Sequence, residues 1–356
     1  MDKILLDRLM QEKTYPCVSL IFPTYRTAPD NQKNAIRLKK MVREASDKLE
    51  QELGKRDSNE LVEKIKDLAA RVDISRTLDG LALFVNKNIA EIVDIPFRVR
   101  ERLIIDKTFA TRDLIMGVNR GLSYYVLDIS LYRARLLSCN RDKAQEVTEN
   151  GFPVMSEFPD LELNPTDFSR EKEKQIKEFF NKVDKLFLNN YFVNSAKVVL
   201  AGVQKNLSFY KEVADVKDII YEQLEGNYEN ISAHDLGKKA WEVVREKNKK
   251  ERHNALNEIQ RAVSVNKLAS GLSEVWRFAA EGRVNMLVVE EDFHLPAGLD
   301  ENNTLVLDTS NLLEKQIMPD AVDEVGEMVL EKGGKVVFVD NGTMGNYQKI
   351  AAVLRY

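Results

Sequence analysis

Cysteine and histidine are scarce in this 356-residue chain, which has two of the first and three of the second. Cys17 and Cys139 lie far apart, without metal-type spacing, beside apolar runs. They are expected to be buried small hydrophobes, which excludes a disulfide framework and points to a cytoplasmic protein. His234, His253 and His294 are isolated, with no HxH or HExxH pattern, and are expected in surface or packing roles. No apolar run approaches the ~20 residues that a membrane span needs, so no membrane contact is expected. The opening MDKILLDRLM mixes acids and bases into its apolar pattern and reads as an amphipathic helix, not a signal peptide. Walker-type loops, GxSxG and CxxC are absent. Gly333-Gly334-Lys335 is a helix stop before a strand, without the spaced glycines or following Ser/Thr of a phosphate cradle. No cofactor, metal or catalytic constellation is expected.

What is present is a mixed α/β pattern. Near the end, Met286–Val289 and Val336–Val339 read as buried strands. Between them Asp320–Lys332 reads as an amphipathic helix, with Val322, Val325, Met328 and Val329 on one face. Ser273–Glu281 adds a helix and Ile350–Leu354 a third strand, giving an α/β/α sandwich. Earlier, Tyr15–Phe22 reads as a strand, Gln32–Leu53 and Glu60–Arg71 as helices, and Leu81–Val85 with Ile89–Ile95 as a hairpin. In the middle, Tyr124–Ile129 and Leu131–Ser138 suggest an antiparallel pair, with Lys143–Val147 as a third strand. Glu149–Ser169 reads as a long loop, Arg170–Leu188 as a helix, and Lys197–Val203 as a buried strand. Phe209–Val213 and Ile219–Tyr221 lead on to a helix over Ala233–Glu246. The charge-dense Arg245–His253 continues it, as one long helix or a broken pair. Three domains are expected, over 1–116, 117–264 and 265–356.

Charge is uneven along the chain. The net value of −4 combines +3 for residues 1–116, zero for 117–265 and −7 for 266–356. Counterion release from RNA requires basic side chains, so the acidic last domain suits a protein partner better than nucleic acid. Lys33, Arg37, Lys39, Lys40 and Arg43 crowd the first half of one helix. They read as either a solvated face or a phosphate-backbone contact. Asp128 closes an apolar strand, where it is either a turn residue or the first acid of a metal site that Asp215, Asp218 or Asp235 would complete.

Three phrases carry a resemblance: PCVSLIFPTYR with QKNAIRLKKMVREA, then VVLAGVQKNLSFYKEV, then EGRVNMLVVEED with the closing IAAVLRY. Together they are similar to bacterial proteins of archaeo-eukaryotic release-factor type, most closely the family 3 branch. The resemblance covers essentially the whole chain and extends to Balon-type ribosome hibernation factors. It implies the domain order of the eukaryotic class-1 release factor and Pelota. A decoding-centre domain comes first, then a ribonuclease-H-like middle domain, then a C-terminal domain of the kink-turn-binding ribosomal-protein type.

True release factors of this kind carry Gly-Gly-Gln on a middle-domain loop. The corresponding ENGFPVMSEFPDLELNPTDFS has one glycine, Gly151, and no glutamine. No NIKS-type stop-codon motif is present in the first domain either. Peptidyl-tRNA hydrolysis is therefore not expected, unless Gln145 or Gln175 approaches from a neighbouring element. The resemblance implies a non-enzymatic, monomeric translation factor that acts in ribosome hibernation or rescue. It would bind ribosomal RNA, and elongation factor Tu or another translational GTPase through its acidic last domain. Gly151, Phe152, Met155 and Phe158 would face the peptidyl-transferase centre or pack on their own domain. The alternatives are a metal-dependent nuclease using the middle domain and an RNA-binding regulator acting off the ribosome.

Overall fold

A computed structural model describes residues 3–119, 122–157, 170–191, 197–300, 304–310 and 317–356. The chain divides into two compact units, one of Leu5–Arg120 with Glu251–Tyr356 and the other of Gly121–Lys250.

The first unit begins with α1 (Lys3–Gln11), β1 (Cys17–Pro23), α2 (Gln32–Leu53) and α3 (Lys55–Ala70). It continues through β2 (Gly80–Val85), β3 (Ala90–Ile95), β4 (Arg102–Asp106) and α4 (Arg112–Asn119). The four strands form an antiparallel sheet in the order β3-β2-β1-β4. Side chains alternate across a strand, so Val18, Leu20 and Phe22 share one face of β1. Helices α2 and α3 cover that face with the stripes Leu38, Met41, Ala45, Leu49 and Leu61, Val62, Ile65, Leu68. This three- and four-residue spacing along α2 is what seats it.

The second unit holds β5 (Ser123–Ile129), β6 (Arg133–Asn140), β7 (Lys143–Glu146), β8 (Val154–Met155), α5 (Arg170–Tyr191), β9 (Val198–Gly202), α6 (Gln204–Val213), β10 (Ile220–Glu225) and most of α7 (Ala233–Ser264). Its sheet runs β10-β9-β5-β6-β7, with β8 paired to β6. The β10/β9 and β9/β5 pairs are parallel, and β5/β6 and β6/β7 are antiparallel. This is the ribonuclease-H-like order. Helices α5 and α6 pack one face through Phe180, Val183, Phe187, Leu207 and Tyr210. On the other face α7 buries Leu236, Ala240 and Val244 against Val126, Leu137 and Val199. The segment 204–213, whose last five residues the sequence left without an assigned element, is a helix, with Leu207, Phe209 and Tyr210 turned to the core.

The rest of α7 returns the chain to the first unit. There follow β11 (Leu268–Ser270), α8 (Leu272–Ala280), β12 (Val284–Glu290), β13 (Ala297–Leu299), β14 (Leu305–Val306), β15 (Ile317–Met318), α9 (Ala321–Glu331), β16 (Lys335–Val339) and β17 (Ile350–Leu354). The larger sheet is ordered β11-β17-β12-β16, parallel only between β12 and β16. The last turns of α7 lay Ala255 and Ile259 on the face of Met286, Val288 and Ala351. Leu287 and Val289 point to the opposite face, where α9 packs on β12 and β16 and α8 packs on α9. Asp320 caps α9 by accepting from the Val322 amide, which satisfies one of the donors a helix start leaves orphaned.

One close approach fixes α7 on its sheet. A Cβ at Gly237 would overlap the Ala144 methyl of β7. Gly237→Ala is therefore expected to cost about 1–2 kcal/mol in urea denaturation, because overpacking outweighs the helix-propensity gain of alanine. The double exchange Ala144→Gly with Gly237→Ala is expected to recover most of that loss.

Candidate functional site

Asp128 and Arg135 stand directly opposite each other on β5 and β6. Both are buried, and the Arg135 Nε lies 2.7 Å from Asp128 Oδ2. The same guanidinium donates to the Tyr228 carbonyl at 2.9 Å and lies 3.8 Å from Glu146. Burial pushes the Asp128 carboxyl up from its ordinary value, and the Arg135 hydrogen bond and charge oppose the rise. Its partner is thus a cation of its own fold. Asp215 instead donates its amide to Asp184, and Asp235 forms a reciprocal cap with Ser232 at the start of α7. Among the described residues no group of three His, Cys, Asp or Glu could hold a metal ion. Arg135 was missed by sequence reasoning, although an arginine inside an apolar strand, across a tight turn from an acid, is a usable signal.

The stem of the long loop is packed. Gly151 has φ +89°, and a Cβ there would press on Leu186 of α5 at 3.1 Å, so glycine suits both the backbone and the space. Phe152 is buried, edge-on to Tyr191 at 5.8 Å, while the Tyr191 hydroxyl donates to the Glu149 carbonyl. Met155 is 60% exposed on the outward face of β8, beside Tyr132, which is 40% exposed at the β5–β6 connection. Of the four expected loop residues, Gly151 and Phe152 therefore serve the unit's own packing and Met155 faces solvent. Phe158 lies outside the described residues. Gln145 sits in β7 opposite Ser138, and Gln175 on the second turn of α5.

The basic run of α2 is matched by acids. Lys33 pairs with Asp30 at 2.7 Å, Arg37 with Glu101 at 3.2 Å, and Lys40 with Glu101 at 2.7 Å. Arg43 lies 3.7 Å from Asp47. Only Lys39 of the five has no side-chain partner among the described residues. Exposed pairs of this kind are worth little, ~0–1 kcal/mol each, and a stronger anion can displace them.

Part of the acidity of the C-terminal segment faces inward. Arg112, at the start of α4, is 3% exposed. Its Nη1 lies 3.3 Å from Asp320, and its Nη2 donates to the carbonyls of Glu290 and Glu291 at 3.2 and 3.0 Å. His294 Nδ1 lies 2.6 Å from the same Asp320 oxygen. Burial alone would raise the Asp320 carboxyl, but the His294 hydrogen bond and the Arg112 charge outweigh it and hold it below its ordinary value. Further along α9, Glu324 accepts from Thr108 and Glu327 from Thr111. Burial pushes Glu327 up to about 8, against the Thr111 bond, with Glu324 and Glu331 adding to the rise and Lys13 opposing it. Asp323 is also raised, first by burial and then by Glu327 and Asp320, with Arg112 opposing. The acids still exposed include Glu274, Glu281, Asp292, Asp308, Glu331 and Asp340.

Two outcomes follow from these buried groups. Removing the guanidinium in Arg135→Met strands the Asp128 carboxylate and is expected to cost about 3–5 kcal/mol in urea denaturation. Asp128→Leu combined with Arg135→Met is expected to lie much nearer the wild type. In the second case, Glu327 holds its proton in the folded chain at pH values where the unfolded chain, near 4.5, has lost it. Its contribution to stability is present below about 4.5 and is lost as pH rises towards about 8. The slope is at most about 1.4 kcal/mol per pH unit. Glu327→Gln is expected to flatten that fall in a series of denaturation curves between pH 5 and 8.5.

Residues 123–283 match the model of the family described as bacterial archaeo-eukaryotic release factor family 3. No curated protein matches. Among solved structures, an archaeal translation termination factor, aRF1, is similar at 16% identity, with 100% of this chain and 99% of that chain covered and a TM-score of 0.28. Dom34 of S. cerevisiae, a translation termination-like factor involved in RNA quality control pathways and interacting with Hbs1, is similar at 11% identity over 78% of this chain and 73% of its own, with a TM-score of 0.44. Archaeal Pelota, from a model of ribosome-bound Pelota and ABCE1, is similar at 15% identity over 78% and 76%, with a TM-score of 0.42.

Proposed function

We propose that this chain, a release-factor/Pelota-like protein through its residues 123–283, is a ribosome-binding translation factor that acts without catalysis in ribosome hibernation or rescue. The observation that carries the proposal is the family match, which spans the ribonuclease-H-like sheet from β5 onward. The chemistry of that unit agrees with a binding role. The buried acid near the end of β5, Asp128, is neutralised by Arg135. The stretch that stands where hydrolytic relatives have Gly-Gly-Gln supplies a single glycine, committed to a turn against Leu186.

In this reading the domains are 1–116, 117–264 and 265–356, and the protein acts as a cytoplasmic monomer. Lys33, Arg37, Lys39, Lys40 and Arg43 meet small-subunit RNA by exchanging carboxylate partners for phosphates. Gly151, Phe152, Met155 and Phe158 belong to the loop that faces the large subunit, with Met155 as an apolar contact and Phe152 supporting the stem. The acids left exposed on the C-terminal segment are the surface offered to elongation factor Tu or another translational GTPase.

Co-sedimentation with vacant ribosomes tests the proposal, with and without elongation factor Tu and guanine nucleotide. Pelleting at sub-micromolar affinity is expected, with no release of peptide from peptidyl-tRNA. Failure to pellet under every nucleotide condition would overturn it.

A further inference from the structure

Helix α7 carries the only charge-dense stretch noted in the sequence that the reading above leaves unused. In the part of it that belongs to the second unit, Lys238, Lys239, Arg245, Lys249 and Lys250 are all exposed. None of their side chains has a hydrogen-bond or ion-pair partner among the described residues. The contrast with α2, where four of five cations are matched by acids, is physical: these charges are exposed, and among the described residues neither Glu242 nor Glu246 of the same helix pairs with them.

Their spacing gives them a direction. At 100° per residue, Lys238, Arg245 and Lys249 fall within about 40° of one another and extend over about 16 Å of helix. Glu242 borders the row on one side. On the other stands Trp241, stacked on Tyr124 at 6.5 Å, with the Arg141 guanidinium 5.9 Å from its ring. That edge is fixed in place, because Tyr124 donates to the Arg141 carbonyl at 3.0 Å.

The composition of the surface discriminates between partners. Protein interfaces bury an apolar centre from which charged residues are depleted. No large apolar side chain of α7 before Val263 is exposed among the described residues. Nucleic-acid interfaces are polar and strongly positive, and a row of cations beside a planar guanidinium is what a sugar-phosphate strand requires.

We infer that Lys238, Arg245 and Lys249, with Arg141 beside them, form a phosphate-backbone contact for structured RNA. This rests on the ribosome-binding reading in taking that RNA to be ribosomal. It adds a second RNA surface, on the other unit from the α2 run.

The test uses the full chain and two probes, vacant ribosomes and a fluorescent RNA hairpin, across a salt series. Lys238→Glu, Arg245→Glu and Lys249→Glu are combined in one variant. Lys48→Glu, Lys55→Glu and Arg56→Glu, combined in another, give the same change in net charge from exposed sites elsewhere. The α7 variant is expected to lose at least about tenfold in hairpin affinity and to reduce the slope of log K against log salt by about 2–3, while the control stays within about twofold of wild type. The neutral set Lys238→Gln, Arg245→Gln and Lys249→Gln is expected to fall between them, with unchanged thermal melting. Equal losses in the α7 variant and the control would reduce the effect to net charge and overturn the inference. So would an α7 variant that binds like wild type, in which case ribosome pelleting by the wild type leaves the ribosome reading standing. Wild type that binds the hairpin through α7 but never pellets with ribosomes would support the RNA contact and reject the ribosome reading. Equal α7-dependent capture of polyglutamate would assign the row to an acidic protein and overturn the inference.

Discussion

The buried guanidinium of Arg112 is the constraint on which the first unit depends. It lies between α4 and the C-terminal sheet, 3.3 Å from Asp320, with two backbone carbonyls accepting from it and the Phe338 ring 5.4 Å away. A buried charge is tolerated only when paired and hydrogen-bonded, and these hydrogen bonds reach across 178 to 208 residues of sequence. The segment before residue 120 and the segment after residue 251 therefore complete each other electrostatically. Asp320 has a second task, since it also caps α9, so one carboxylate ties the helix start to the guanidinium. Further down α9, Thr108 and Thr111 meet Glu324 and Glu327 in the same way, but with neutral donors. Burial then favours the protonated acid, and this end of the contact is the one that responds to pH.

This arrangement changes what the charge asymmetry of the sequence means. The C-terminal segment is strongly acidic by composition, yet four of its acids on or beside α9 turn towards the N-terminal segment. The basic run of α2 is likewise discounted by Asp30, Glu101 and Asp47. Net charge along a sequence is a sum, and a partner sees only what remains unmatched at the surface. By that measure the exposed cations of α7 count for more than the neutral composition of the middle unit suggests, although the exposed Glu242 and Glu246 share that side of the helix.

Much of the fold is legible in the sequence because single elements are coded by period and punctuation. Helix α2 spans the expected Gln32–Leu53, and α9 is capped by Asp320 and ends before Gly333-Gly334. The charge-dense 245–253 proves to be the interior of one continuous helix, carried by Val244, Asn248, Ala255 and Ile259 on its buried side. What is not legible is whatever depends on partners distant in sequence. Strand β4 is a row of half-buried residues whose identity comes from pairing with β1. Segment 204–213 has no clear period of its own and is a helix packed beside α5 and β9. The small β14-β13-β15 sheet consists of two- and three-residue strands with no periodic signal. Of the candidate site, Asp128 stands out in the sequence but its neutralisation does not, because Arg135 becomes its partner only once the hairpin register is set.

The stem of the 148–157 segment sharpens the argument from the missing Gly-Gly-Gln. A lone glycine in a loop is ambiguous by sequence, since it can serve either chemistry or conformation. Here its positive φ and the Leu186 methyl groups account for it fully. Phe152, next in the chain, is driven into the core by the same turn, and Val154 is buried beside it. A segment anchored this firmly gains its position from packing within its own unit, and Met155 and Tyr132 are the side chains it leaves to the outside. Met155 offers an apolar contact and Tyr132 a ring that can stack on bases. On the proposed reading the described part of this element contributes shape and apolar contact.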